Sequence, residues 1–171
     1  MTSSENYTLS GLFFDPINDA LEFLDKLTSD IYQAKAQGPF SSSIGAHMRH
    51  ILDHYQALML GIDAGRVDYN QRTRQSATET DMNLAKESWI QVREWLNTFS
   101  EDTLKKTFDV ITEHGNVQSS VGRELSFVSS HAVHHFAFMK QLCAHFNIAL
   151  SGDVGVAPAT LKNLRETAAN N

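Results

Sequence analysis

Ser130-His131-Ala132-Val133-His134-His135-Phe136 sits inside a helical pattern that runs from about Val121 to Phe146. His131 and His135 are four residues apart, so on a helix they stack on one face. At about 3.6 residues per turn, that face also carries Val121, Glu124, Val128, Met139, Leu142 and Phe146. Glu124 is the one charge among these, so the two imidazoles point toward a core. Two core-facing histidines one turn apart can clamp a metal ion. The alternative is a pair of core histidines satisfied by hydrogen bonds. A third ligand from elsewhere in the chain decides between the two.

Outward from this helix, the pattern predicts a bundle. Asp15-Pro16 reads as a helix start, with Ile17, Leu21, Leu24, Leu27, Ile31 and Ala34 at helical spacing until Gln37-Gly38-Pro39 stops it. Phe13 and Phe14 tuck the lead-in against the bundle. A second helix is expected from Ser41-Ser42-Ser43 to about Ala64, ending before Gly65. Ile44, Met48, Ile51, Tyr55, Leu58 and Ile62 form its apolar stripe, and His47, His50 and His54 line one edge of it. Residues 65 to about 78 read as a loop. Thr78-Glu79-Thr80-Asp81 starts a third helix that runs to about Phe99 and buries Ala85, Trp89, Val92, Leu96 and Phe99. Between 100 and 120 the period shortens: Thr107 to Thr112 alternates and is β-branched, Glu113-His114-Gly115-Asn116 reads as a turn, and Val117-Gln118-Ser119 can return as a strand. The last long helix is capped by Ser119 or Ser120. A short helix is expected from Thr160 to about Ala168. The fold class is all-α: one four-helix-bundle domain over residues 1–171, core about 10–150, with a small hairpin and a short C-terminal helix.

Composition narrows the function classes. The 171 residues are 42% hydrophobic and carry a formal net charge of -6. That balance speaks against a nucleic-acid or anionic-membrane partner, which asks for a basic face. No apolar run approaches a membrane span, and Met1 to Asn6 lacks a basic patch and an apolar core, so a cytoplasmic protein is expected. The single Cys143 forbids an intramolecular disulfide; beside the helical stripe it reads as a small buried hydrophobe. No phosphate-binding glycine loop, dinucleotide fingerprint or serine-nucleophile motif occurs.

The chemistry therefore rests on the histidines. If the second and last long helices are neighbours, one imidazole from His47, His50 or His54 can meet the pair His131 and His135. Three neutral imidazoles leave a divalent metal its full charge and open positions, which Lewis-acid catalysis needs. On the wheel of the second helix, His47 and His54 lie closer to the centre of the apolar stripe than His50 does.

These residues carry a resemblance to the DinB-like superfamily of metal-binding four-helix bundles. Ser43-Ile44-Gly45-Ala46-His47-Met48-Arg49-His50 is similar to its second-helix motif, and His131-Ala132-Val133-His134-His135 to its His-x-x-His-His motif in the last long helix. The resemblance covers about residues 10–150. It implies His50, His131 and His135 as ligands; the helix wheel keeps His47 and His54 in reserve and sets His134, about 100° from His135, on the flank. The resemblance also implies a divalent transition metal (zinc, nickel or iron) and chemistry on small thiols or electrophiles: thiol transfer, isomerisation or hydrolysis. Bacillithiol, mycothiol and glutathione are the thiols used by related proteins. Glu124 is a candidate general base at the mouth of the site, or the partner of an arginine such as Arg49 or of a loop arginine. Arg72 and Arg74 are candidates to clamp an anionic group of a small-molecule substrate. Two rival expectations are a non-catalytic, stress-related protein that keeps the metal as a staple, and a bundle whose function is association, for instance as a homodimer.

Overall fold

The computed structural model describes residues 9–35, 41–71 and 76–169. Four long helices make the bundle: α1 (Leu9–Lys26), α3 (Ile44–Ala64), α4 (Met82–Leu96) and α6 (Val121–His145), with a short α2 (Ser29–Gln33) after the first. Packing runs in a ring: α3 contacts α6 and α4, and α1 contacts the same two from the other side. The apolar stripes meet in one core that includes Ile17, Phe23, Ile44, Met48, Ile51, Tyr55, Trp89, Val128, Phe136 and Met139.

The two helices that matter most for function are bounded by local chemistry. Ser43 caps α3, its hydroxyl accepting from the N–H of Ala46 at 3.1 Å. Gly65 ends it in the left-handed conformation at φ 70, where a side chain would be strained. Ser120 caps α6 by accepting from the N–H of Arg123. Asp81 caps α4.

The first helix departs from expectation at both ends. It begins at Leu9 and runs through Pro16, because Phe13 and Ile17 continue one buried stripe across the proline. It stops at Lys26, where Thr28 caps a new short helix by accepting from Ile31. That break turns Tyr32 inward, fully buried, with its hydroxyl donating to the carbonyl of Thr78 at 2.6 Å. The expected stop at Gln37-Gly38-Pro39 lies outside the described residues. The helix α4 ends at Leu96, so Phe99 lies beyond it and packs against Trp95 instead.

Three elements complete the chain between the last two long helices. A short α5 (Glu101–Lys105), absent from the expectation, is set by a capping box of Ser100 and Thr103. The hairpin is present as β2 (Thr107–Thr112) and β3 (Gly115–Ser120), with Phe108 and Val110 buried. Its turn is shorter than expected: Thr112 pairs with Gly115, leaving only Glu113 and His114 to turn. Residues 66 and 67, expected as loop, form β1 (Arg66–Val67) and pair in parallel with Asp109 and Val110 of β2. The sheet order is β1-β2-β3. After α6, residues 148–157 lead to α7 (Pro158–Ala169), two residues earlier at its start than expected. This segment is pinned to α1: Asp19 accepts from the N–H of Gly155, and Glu22 from that of Ser151. Among the described residues no helix is long and apolar enough to cross a membrane.

Candidate metal centre

The contacts between α3 and α6 run in opposite sequence order. His47 meets His135, His54 meets His131, and His50 lies between them. The helices are therefore antiparallel here, and the middle histidine of α3 faces the gap between the two on α6. Ring nitrogens of His50, His131 and His135 all lie within 4.8 Å of one another. The Nε2 atoms of His50 and His131 are 3.1 Å apart. Ligands at about 2.0–2.1 Å from one ion stand roughly 3–4 Å from each other, so this donor set fits a divalent metal with small ring rotations. All three rings are half-buried, open enough to exchange a ligand. Among the described residues no carboxylate belongs to the group.

The other two α3 histidines flank it. His54 is buried, and its Nδ1–H donates to the carbonyl of His50 at 2.8 Å, which fixes the proton on that nitrogen. Its ring packs within 4.3 Å of His131 between centroids. His47 is half-buried and pairs with His135, Nδ1 to Nδ1, at 3.0 Å. The Nε2 of His47 is buried and has no hydrogen-bond partner among the described residues, and its ring leans on Phe138. Burial lowers the pKa of His47. His135 is pushed down to about 4, first by burial and then by the neighbouring His131, His47, His134 and His54. Both rings are neutral near pH 7, so both keep a lone pair for a metal or a hydrogen bond. His134 is exposed, flanking His135 at 5.6 Å between ring centroids.

One wall of the site comes from residues that sequence patterning does not single out. Tyr69, in the segment after β1, stacks on His54 at 20° between ring planes and touches Phe127 of α6. Phe127 stacks on His131. The Tyr69 hydroxyl donates to Oε2 of Glu124 at 2.7 Å, which raises its pKa further than burial alone. Glu124 is 1% exposed. Its Oε1 accepts from Ser119 and from Arg123, each at 2.6 Å. Both carboxylate oxygens are thus held by neighbours on the hairpin, on α6 and in the segment that carries Tyr69. The arginine partner is Arg123, whereas Arg49 pairs with Asp53 and Glu79. A lone aromatic in a polar loop was the only available signal for Tyr69. Arg72 and Arg74 lie outside the described residues. Cys143 is buried, and burial pushes its thiol up to about 11, away from nucleophilic use.

Comparison with known proteins places these features. Residues 17–139 match the family model of the DinB superfamily. The architecture is similar to a solved DinB-like protein of Bacillus subtilis, at a TM-score of 0.65 and 22% identity over 83% of this chain and 94% of that one. A DinB-like protein of Bacillus cereus gives 0.55 and 15% identity over 80% and 89%. A curated relative, FK506-binding protein 5 of Rhizopus delemar, is 34% identical over 107 residues. That match covers 58% of this chain and spans 28% of the length of the relative.

Proposed function

This chain belongs to the DinB superfamily, and from that premise we propose that it is a metal-dependent enzyme acting through a small thiol or water nucleophile. The observation that carries the proposal is the group His50, His131 and His135, three imidazoles from two facing helices with ligand nitrogens within 4.8 Å. Neutral nitrogen donors without a carboxylate leave the charge of a divalent ion undiminished. Bound there, such an ion supplies a Lewis acid that favours deprotonation of a thiol or water. Zinc, nickel and iron all suit imidazole ligands.

The surrounding residues have defined tasks in this proposal. The depressed pKa of His135 keeps its lone pair available well below neutral pH. The backbone carbonyl of His50 holds the His54 ring by accepting from its Nδ1. Tyr69 covers His54 and Phe127 covers His131, closing off one side of the site. Glu124 anchors that wall. With its oxygens already taken by Tyr69, Ser119 and Arg123, it serves as a fixed anion and not as the general base that its place on the α6 stripe suggests. The substrate class is a small electrophile, with a low-molecular-weight thiol such as glutathione, bacillithiol or mycothiol as co-substrate.

The test is a comparison of metal-loaded and metal-stripped protein, made without an affinity tag. Thiol consumption is followed with a panel of small electrophiles, and hydrolysis with a panel of esters. Turnover that needs metal and disappears in His50→Ala is the expected result. Equal rates with and without metal, at the level of the buffer, refute the catalytic proposal. A strong loss of thermal stability on chelation would then identify the metal as a staple.

A further inference from the structure

Besides the three grouped histidines, the site holds a contact that the metal alone does not explain. Nδ1 of His47 lies 3.0 Å from Nδ1 of His135, while Nε2 of His47 is buried and without a partner among the described residues. Two ring nitrogens at that distance form a hydrogen bond only when one carries a proton and the other a lone pair. An imidazole that ligates a metal through one nitrogen normally donates the N–H of the other, which fixes its tautomer and orientation. We propose that His47 is a positioning residue: its Nδ1 accepts the Nδ1–H of His135, which fixes that ring and reserves its Nε2 lone pair for a metal held together with His50 and His131.

The proton count supports one arrangement. If His47 were the donor, the proton of neutral His135 would sit on Nε2, and His135 would be lost as a ligand. With His135 donating, its Nε2 is bare, and the proton of neutral His47 sits on the nitrogen enclosed beside Phe138. His47 then has no lone pair left to offer a metal, which separates its role from that of His50. Helix geometry makes the pairing available: His47 is one turn before His50 on α3, and His135 is one turn after His131 on the antiparallel α6. Phe138 backs the His47 ring at 4.9 Å between centroids and keeps it against His135.

The proposal rests on the metal-site reading above, and the test separates the two. Cobalt(II) binding to tag-free protein is followed by its visible absorption, and zinc affinity by competition with a chelator. The variants are His47→Phe, which keeps a ring and removes the acceptor, and His47→Asn, which returns a carbonyl oxygen near the position of Nδ1. Zinc affinity should fall about 10–100-fold in His47→Phe with the cobalt bands at unchanged wavelengths, and His47→Asn should recover most of it. In zinc-loaded, nitrogen-15-labelled wild type, His135 should show a proton on Nδ1. Unchanged affinity in His47→Phe overturns the proposal, as does equal weakening in both variants, which marks simple packing. Shifted cobalt bands in His47→Phe overturn it too, because they make His47 a ligand. A wild type that takes up neither ion defeats the metal-site reading itself, and this proposal with it.

Discussion

Replacing Glu124 by leucine tests how the wall of the site is held. The side chain is 1% exposed and accepts three hydrogen bonds, from Tyr69 at 2.7 Å and from Ser119 and Arg123 at 2.6 Å each. Leucine fills much of the same space and accepts none. The Arg123 side chain is 65% exposed, so water replaces its lost partner, and that pair contributes under about 1 kcal/mol. The hydroxyls of Tyr69 and Ser119 are partly buried, and each loses a charged acceptor at about 1–3 kcal/mol. The expected cost of Glu124→Leu is therefore about 2–7 kcal/mol, read as a shift of the urea midpoint with the slope unchanged. Adding Tyr69→Phe to it should recover part of the loss, because the orphaned hydroxyl is gone. Arg123→Ala should cost little. A Glu124→Leu loss below about 1 kcal/mol, or one equalled by Arg123→Ala, would refute the assignment of Glu124 as the anchor.

Three further outcomes follow from other parts of the molecule. The pKa of His135 is pushed down to about 4, against about 6.5 in an unfolded chain; the unfolded state thus binds the extra proton first, and metal-free stability should be level above about pH 6.5 and fall as pH drops toward 4. Urea midpoints across that range should fall less steeply in His135→Phe, and identical slopes would contradict the shift. Gly155 has φ +71, and a Cβ there would sit 2.6 Å from the backbone nitrogen of Ala137, so Gly155→Ala should cost more than about 1 kcal/mol; an unchanged thermal midpoint would show that the segment before α7 does not press on α6. Zinc at a hundred times its dissociation constant should stabilise the fold by about 2.7 kcal/mol, reversibly with chelator, and no such gain should occur in the His131→Ala/His135→Ala double variant.

The bundle was legible where local chemistry and period agree. Ser43, Gly65 and Ser120 punctuate α3 and α6, and the apolar repeat between them points the histidines inward. The DinB-like resemblance extends over the same helices, and the family match covers residues 17–139. Less legible was what tertiary packing decides. Pro16 reads as a start, yet burial of Phe13 and Ile17 carries α1 through it. Two residues are too few for a strand period, so β1 is set by its neighbours: a Cβ on Gly61 of α3 would run into Val67, and only glycine there lets the strand lie flush. The hydrogen bonds that anchor the wall, from Tyr69 and Ser119 to Glu124, join a loop, a strand and a helix, and no spacing in sequence links them. His47 was visible as a histidine of the right face, but its pairing with His135 depends on the antiparallel register of α3 against α6.

Elemental analysis of tag-free protein, purified without chelator, measures the central claim directly. Wild type should carry one divalent transition metal per chain, lost in His131→Ala/His135→Ala while the fold persists by circular dichroism. Substoichiometric metal in wild type, unchanged in the double variant, would contradict it.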